Sequence, residues 1–177
     1  LHLCDRRQRQ MCIRDRPVID ALEEDITRYL TKMSEKEMGA ELSAMHTRLL
    51  HACTDIERIG DHGEALAKDA RRMFEDDVKF SEEAKTELRA LGELVMQASG
   101  KAMEALANND KVLAQEAWDI CRQVKKAQKE IRKNHIVRLN EKRWDPVAGF
   151  MMMEILINLK RVSDHSKNIS QIVLGIF

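Results

Sequence analysis

The chain has 177 residues, 30 Lys plus Arg against 30 Asp plus Glu, a formal charge of zero, and a 44% hydrophobic fraction that argues against disorder. Its 7 Gly and 2 Pro are too few for the frequent turns of a sandwich, barrel or propeller. The richest apolar stretch, VAGFMMMEILINL from Val147, carries Glu154 and runs into Lys160 and Arg161, well short of the roughly 20 apolar residues a membrane span needs.

Residues 1–16, LHLCDRRQRQMCIRDR, lack apolar periodicity and hold five Arg and two of the four Cys. An arginine-rich N-terminus can be a nucleic-acid arm or a targeting segment. The string RRQRQMCIRDR, Arg6 to Arg16, instead resembles the translation of a transposase adapter used in sequencing libraries. Residues 1–16 are therefore read as non-native and set aside. The remaining body has 25 Lys plus Arg against 28 Asp plus Glu, a net charge of −3, and keeps only Cys53 and Cys121. This mildly acidic body offers nothing to nucleic acid, and the two cysteines read as small core residues.

Five helices follow in chain order, over roughly 17–33, 35–74, 82–108, 110–144 and 146–176, with no strand. Ser34 and Glu37 form a capping-box pattern and predict a helix start. Ser81 before Glu82 and Glu83 predicts another, Asn108-Asn109-Asp110 a break and a cap, and Asp145-Pro146 a cap before a proline at the first helical position. Trp118 and Trp144 read as packing anchors, and Met45 and Met151-Met152-Met153 as adaptable core.

DIERIGDHGEALA from Asp55 aligns with NLKRVSDHSKNIS from Asn158 at a constant offset of 103 residues. The row Cys53, Ile56, Gly60, Gly63, Ala67, Ala70 has as its counterpart Leu156, Leu159, Ser163, Ser166, Ser170, Val173, stepping by three and four. Both helices thus present one broad apolar face in which small residues admit a close neighbour. Two helices precede the second motif helix but only one precedes the first, beside the adapter-like segment. The pattern predicts a three-helix repeat occurring twice with its first helix missing: a partial repeat over 17–76 and a full one over 77–177.

Glu57, Asp61 and Glu64 project along one edge of the first motif helix, and Asp20, Glu23 and Glu24 of the preceding helix are candidates to face them. Such an edge is either a solvated acidic stripe or a site for a hard or borderline cation. The matching edge of the second repeat reads Lys160, Asp164, Lys167, and Asp20 and Glu24 correspond to Lys125 and Lys129. This reversed charge suits intrabundle salt bridges or an anion such as phosphate held by Lys125, Lys129 and Lys160. Arg58 and Arg161 read as structural ion-pair partners, and His62 and His165 as hydrogen-bonding residues. No Gly-rich phosphate loop, GxSxG, HExxH or Glu-x-x-His pair occurs, so no enzymatic machinery is predicted.

The motif DIERIGDH with its second copy NLKRVSDHSKNIS resembles the PhoU family over essentially the whole body from Pro17. The resemblance implies tandem antiparallel three-helix bundles, a role in regulating phosphate uptake, and in some members a metal cluster held by E(D)xxxD motifs on facing helices. Glu57 and Asp61 match one such motif. Asp20 would end the facing one, whose first acid falls at position 16, where Arg16 stands. Asp20, Glu24, Glu57 and Asp61 are accordingly the candidate ligands for a divalent metal or iron in the first repeat, and a carboxylate-bridged metal protein is the competing reading. The forms KRVSDHSKNIS and ALEEDITRYLTKMSEKE look most like the PhoU-like domain at the C-terminus of sodium/phosphate cotransporters. That likeness implies a non-enzymatic regulatory domain on the cytoplasmic side of the membrane, with the transporter as the missing N-terminal part of the same chain and a homodimer left open. The alternative is a stand-alone PhoU regulator of an ATP-driven phosphate transporter and its sensor kinase.

Overall fold

The computed structural model describes residues 6–35, 37–140 and 145–176, with side chains from Arg16 onward. Its helices are α1 (Arg6–Ser34), α2 (Ala40–Glu75), α3 (Glu82–Asn108), α4 (Lys111–Asn140) and α5 (Pro146–Leu174), and the described residues contain no strand. Three of the expected caps form. The Ser81 hydroxyl accepts from the Ala84 amide at 3.3 Å, Asp110 from Val112 and Leu113 at 2.9 and 3.1 Å, and Asp145 from Val147 at 3.3 Å. Asn109 takes the left-handed conformation that closes α3, at φ 51°.

The expected start at Ser34 is not observed. Ser34 is the last residue of α1, its hydroxyl donates to the Thr31 carbonyl at 2.6 Å, and α2 begins after Gly39 with no side-chain cap. A Ser-x-x-Glu pattern caps only where the chain has already left the helix, and α1 carries through Ser34. α1 also starts at Arg6 and passes through Pro17, so helix extends across the end of the segment set aside on sequence grounds. A proline there forfeits one backbone hydrogen bond. Trp144 lies outside the described residues.

Among the described residues α1 packs on α2 alone, α2 also on α5, and α3, α4 and α5 on one another. The main core joins Leu88, Leu91 and Val95 of α3, Val124 and Ile131 of α4, and Met151, Met152 and Leu156 of α5. Positions related by the internal repeat differ in what covers them. Met152 is 0% exposed but its counterpart Leu49 is 37%, and Ala148 is 2% against 56% for Met45. α3 lies over α4 and α5, whereas no described helix lies over α1 and α2 in the same way. Close approach occurs at Gly60, where a Cβ would stand 3.1 Å from Ile19 of α1, but not at Gly63, which has open space.

His135 of α4 is 1% exposed and lies against Gly149 of α5. Burial, reinforced by the charge of Arg138 and opposed by that of Glu87, holds its imidazole below the ordinary value of 6.5. The unfolded chain then binds the proton more readily, so stability is present above about pH 6.5 and lost as pH falls through the depressed value. Urea midpoints should drop between about pH 7.5 and 5.5, and His135→Leu should flatten that drop; an unchanged slope would refute the assignment. At neutral pH, Met152→Ala should lose about 2–5 kcal/mol. Its repeat counterpart Leu49→Ala should lose less than about 1 kcal/mol in the same urea titration.

Candidate functional site

The α1 face that meets α2 runs through Arg16, Ile19, Glu23, Thr27 and Leu30, all at least half-buried and spaced by three and four. Ile19 seats against Gly60, and His46 of α2 hydrogen-bonds the Leu30 carbonyl at 2.7 Å, which fixes the pair at both ends. This register brings Asp20, Glu57 and Asp61 together around one guanidinium. Arg16 donates through Nη1 to Asp20 and through Nη2 to Asp61, and reaches Glu57 Oε1 at 2.5 Å. Its side chain is 13% exposed. Arg58 adds a second cation at the rim, 3.2 Å from Asp61 Oδ2 and 3.6 Å from Glu57 Oε2. Burial works against the charge on Arg16, but the hydrogen bonds it donates to Glu57 and Asp61 and the charges of Asp61 and Asp20 outweigh it and raise its pKa above the ordinary arginine value.

Glu24 does not join this group. It lies on the outer face of α1, 72% exposed and paired with Arg28 at 2.6 Å. The inward acid of that turn is Glu23, which accepts from the Thr27 hydroxyl at 2.9 Å and, after burial, is the second cause of the raised pKa of the Cys53 thiol. Of the three acids named for this face, Glu23 lies one turn from Ile19, the residue under Gly60, and so points inward, whereas Glu24 does not. Glu64 pairs with Lys68 at 3.0 Å.

In the second repeat the equivalent edge holds Cys121, Lys125, Lys160 and Asp164. Lys160 is bound to Asp164, while Lys125 and Lys129 are exposed side chains of α4. Cys121 is buried, donates to the Ser163 carbonyl at 3.4 Å, and has its pKa raised, first by burial. Of the three candidate lysines, Lys160 is thus already neutralised.

The two motif helices join through their repeated residues. His165 Nδ1 donates to Asp55 Oδ1 at 2.7 Å, and His62 Nδ1 to Asn158 Oδ1 at 3.0 Å. Asp55 and Asn158 are themselves repeat partners, so each motif's His reaches the first residue of the other motif. The two imidazoles stack with centroids 5.8 Å apart. Asn168 adds a 3.1 Å bond to Asp55, and Asn158 donates to Asp69 at 3.2 Å. Burial raises the Asp69 pKa despite that bond. Beside this clasp lies an open cleft of about 400 Å³ lined by His51, Thr54, Asp55, Asn168, Gln171 and Ile176.

In the chain as it stands, the place a metal ion would take among Asp20, Glu57 and Asp61 is filled by Arg16, the last residue of the segment read as non-native. The described residues contain no group of three or more His, Cys, Asp or Glu arranged to hold a metal ion. A cation placed there would meet a fixed positive charge at hydrogen-bond distance from the same oxygens.

His165→Ala should cost about 1–3 kcal/mol, because Asp55 is 13% exposed and loses its imidazole donor. A double-mutant cycle of Asp55→Ala with His165→Ala, read by urea denaturation, should return a coupling of about 1 kcal/mol. A coupling indistinguishable from zero would show that the clasp does not hold the repeats.

Comparison with known proteins agrees with this geometry. The PhoU domain model matches residues 4–70 and again 88–173. The chain is 27% identical over 128 residues to the phosphate-specific transport system accessory protein PhoU homolog 1 of Thermotoga maritima, covering 72% of this chain and 54% of that protein. It is 28% identical over 123 residues to the corresponding PhoU homolog of Pseudomonas aeruginosa, covering 68% and 49%. The chain thus spans about half the length of the curated relatives it matches. The crystal structure of PhoU from Pseudomonas aeruginosa superposes with a TM-score of 0.88 at 21% identity, over 96% of this chain and 80% of that one. With both its repeats matched and its helical arrangement shared, the chain belongs to the PhoU domain family.

Proposed function

We propose that this chain is a PhoU-type regulator that acts with a phosphate transport system, holding uptake and its signalling in check through protein contacts on the cytoplasmic side of the membrane. The observation that carries this reading is the family match over both repeats, in relatives described as accessory proteins of phosphate-specific transport systems. Those relatives favour an ATP-driven transporter and its sensor kinase as partners. No helix among the described residues is long and apolar enough to cross a membrane, so within them contact with a transporter is made by helix surfaces. The cotransporter reading rests on the KRVSDHSKNIS form of the second motif and on the ALEEDITRYLTKMSEKE segment. It requires several hydrophobic spans of about 20 residues upstream of Pro17 in the gene.

The test is complementation. In a bacterium deleted for its own PhoU protein, expression of this chain should lower phosphate-starvation gene expression in phosphate-rich medium several-fold toward the undeleted level. Unchanged expression, with the folded chain present in the cells, would overturn the accessory-protein reading.

A further inference from the structure

From Arg122 to Lys133, α4 carries the cations Arg122, Lys125, Lys126, Lys129, Arg132 and Lys133 and a single acid, Glu130. All of these cations are exposed. Arg122, Lys126, Lys129 and Lys133 recur at four, three and four residues, so they form one stripe about 16 Å long, with Lys125 and Arg132 flanking it. Arg122 pairs with Asp119 at 2.7 Å, whereas the other five make no ion pair among the described residues. Exposed cations elsewhere, such as Arg28, Lys68, Arg71 and Lys79, are each answered by a neighbouring acid. The next turn of the α4 stripe is apolar: Ile136 and Val137 are 49% and 48% exposed. Leu139 lies against Gly149 of α5, which puts Val147 and Phe150, 48% and 57% exposed, at the same end of the α4–α5 hairpin.

We propose that this basic face of α4 and the apolar end of the α4–α5 hairpin dock on an anionic lipid surface. The lysines meet the headgroups, and Ile136, Val137, Val147 and Phe150 enter the boundary of the acyl chains. A charged stripe by itself only keeps a helix in water; one that runs into exposed apolar side chains matches a surface that is anionic outside and hydrocarbon beneath. Nucleic acid or an acidic protein would answer the lysines and leave those four apolar side chains wet. The body without residues 1–16 has a net charge of −3, so the attraction belongs to this face and not to the molecule at large. At physiological salt, acids on the far side are screened over a distance of about 8 Å. The inference deepens the preceding reading, because it names the surface by which an accessory protein would lie beside a membrane transporter.

The probe is a protein-free vesicle, so failure here and failure of complementation are separate results. The full chain is used with Arg6→Gln, Arg7→Gln and Arg9→Gln throughout, which leaves Arg14 and Arg16 against Asp5 and Asp15 in the segment read as non-native. It should sediment with vesicles of mixed phosphatidylcholine and phosphatidylglycerol at about 0.1 M salt, less so as salt rises, and not with phosphatidylcholine alone. Lys126→Gln with Lys129→Gln and Lys133→Gln should weaken this binding by about tenfold or more. Arg71→Gln with Arg72→Gln and Lys79→Gln, an equal change of charge among ion-paired cations around the end of α2, should leave it within about twofold. Val137→Ser with Phe150→Ser should weaken it several-fold. Equal binding by the two lysine- and arginine-depleted variants, or binding to phosphatidylcholine alone, would overturn the proposal. Displacement by inorganic phosphate at matched ionic strength would replace it with a site for the free anion. A chain with Val137→Ser and Phe150→Ser that binds as well as its parent would mark the face as a general polyanion binder and equally overturn it.

Discussion

Where α2 crosses α5, two stacked imidazoles each donate to an acceptor on the opposite helix, and the arrangement of every other element follows from that crossing. The pairs Asp55–His165 and His62–Asn158 run in opposite directions, so the motif helices are antiparallel and related by a local twofold through the two rings. α1 then attaches to the outer side of α2, and α3 and α4 to α5. The clasp is built from chemically unequal halves. One imidazole faces a carboxylate and the other an amide oxygen, so only one arm gains from charge.

Much of this was legible in the sequence, because it depends on spacing within single helices. The caps at Ser81, Asp110 and Asp145 are local hydrogen bonds between residues two or three apart, and they form where the pattern puts them. The repeat offset of 103 identified the residues that meet at the clasp without revealing that they meet each other. What failed depended on tertiary placement. Ser34 has the right neighbours for a cap, but it is still the last residue of α1, whose packed face runs from Arg16 to Leu30. Glu24 was chosen by its distance from Asp20 and lies outward, because the axis of contact runs through Ile19 and Gly60. Arg16 was set aside with the adapter-like segment and noted as an interruption of an acidic pattern; in the chain as it stands its side chain reaches Asp20, Glu57 and Asp61.

The zero formal charge of the whole chain conceals this local division. On the first-repeat edge one enclosed arginine serves three acids, and on the second a lysine serves one. Two related surfaces of one molecule thus differ in sign while their backbones follow the same plan. Such a difference gives a binding partner a way to tell two nearly symmetric faces apart, which shape alone would not provide.

Among the described residues α1 packs on α2 and on no other helix, and its exposed side carries Val18, Leu22, Ile26 and Tyr29. A helix held along one seam opens at a lower free energy than one held along two. The carboxylates of α2 change surroundings in the same step, passing from a closed ion cluster to open water. The charge that this face shows to the solution thus depends on how α1 sits on α2, and anything that grips the exposed side of α1 also bears on the field around Glu57 and Asp61.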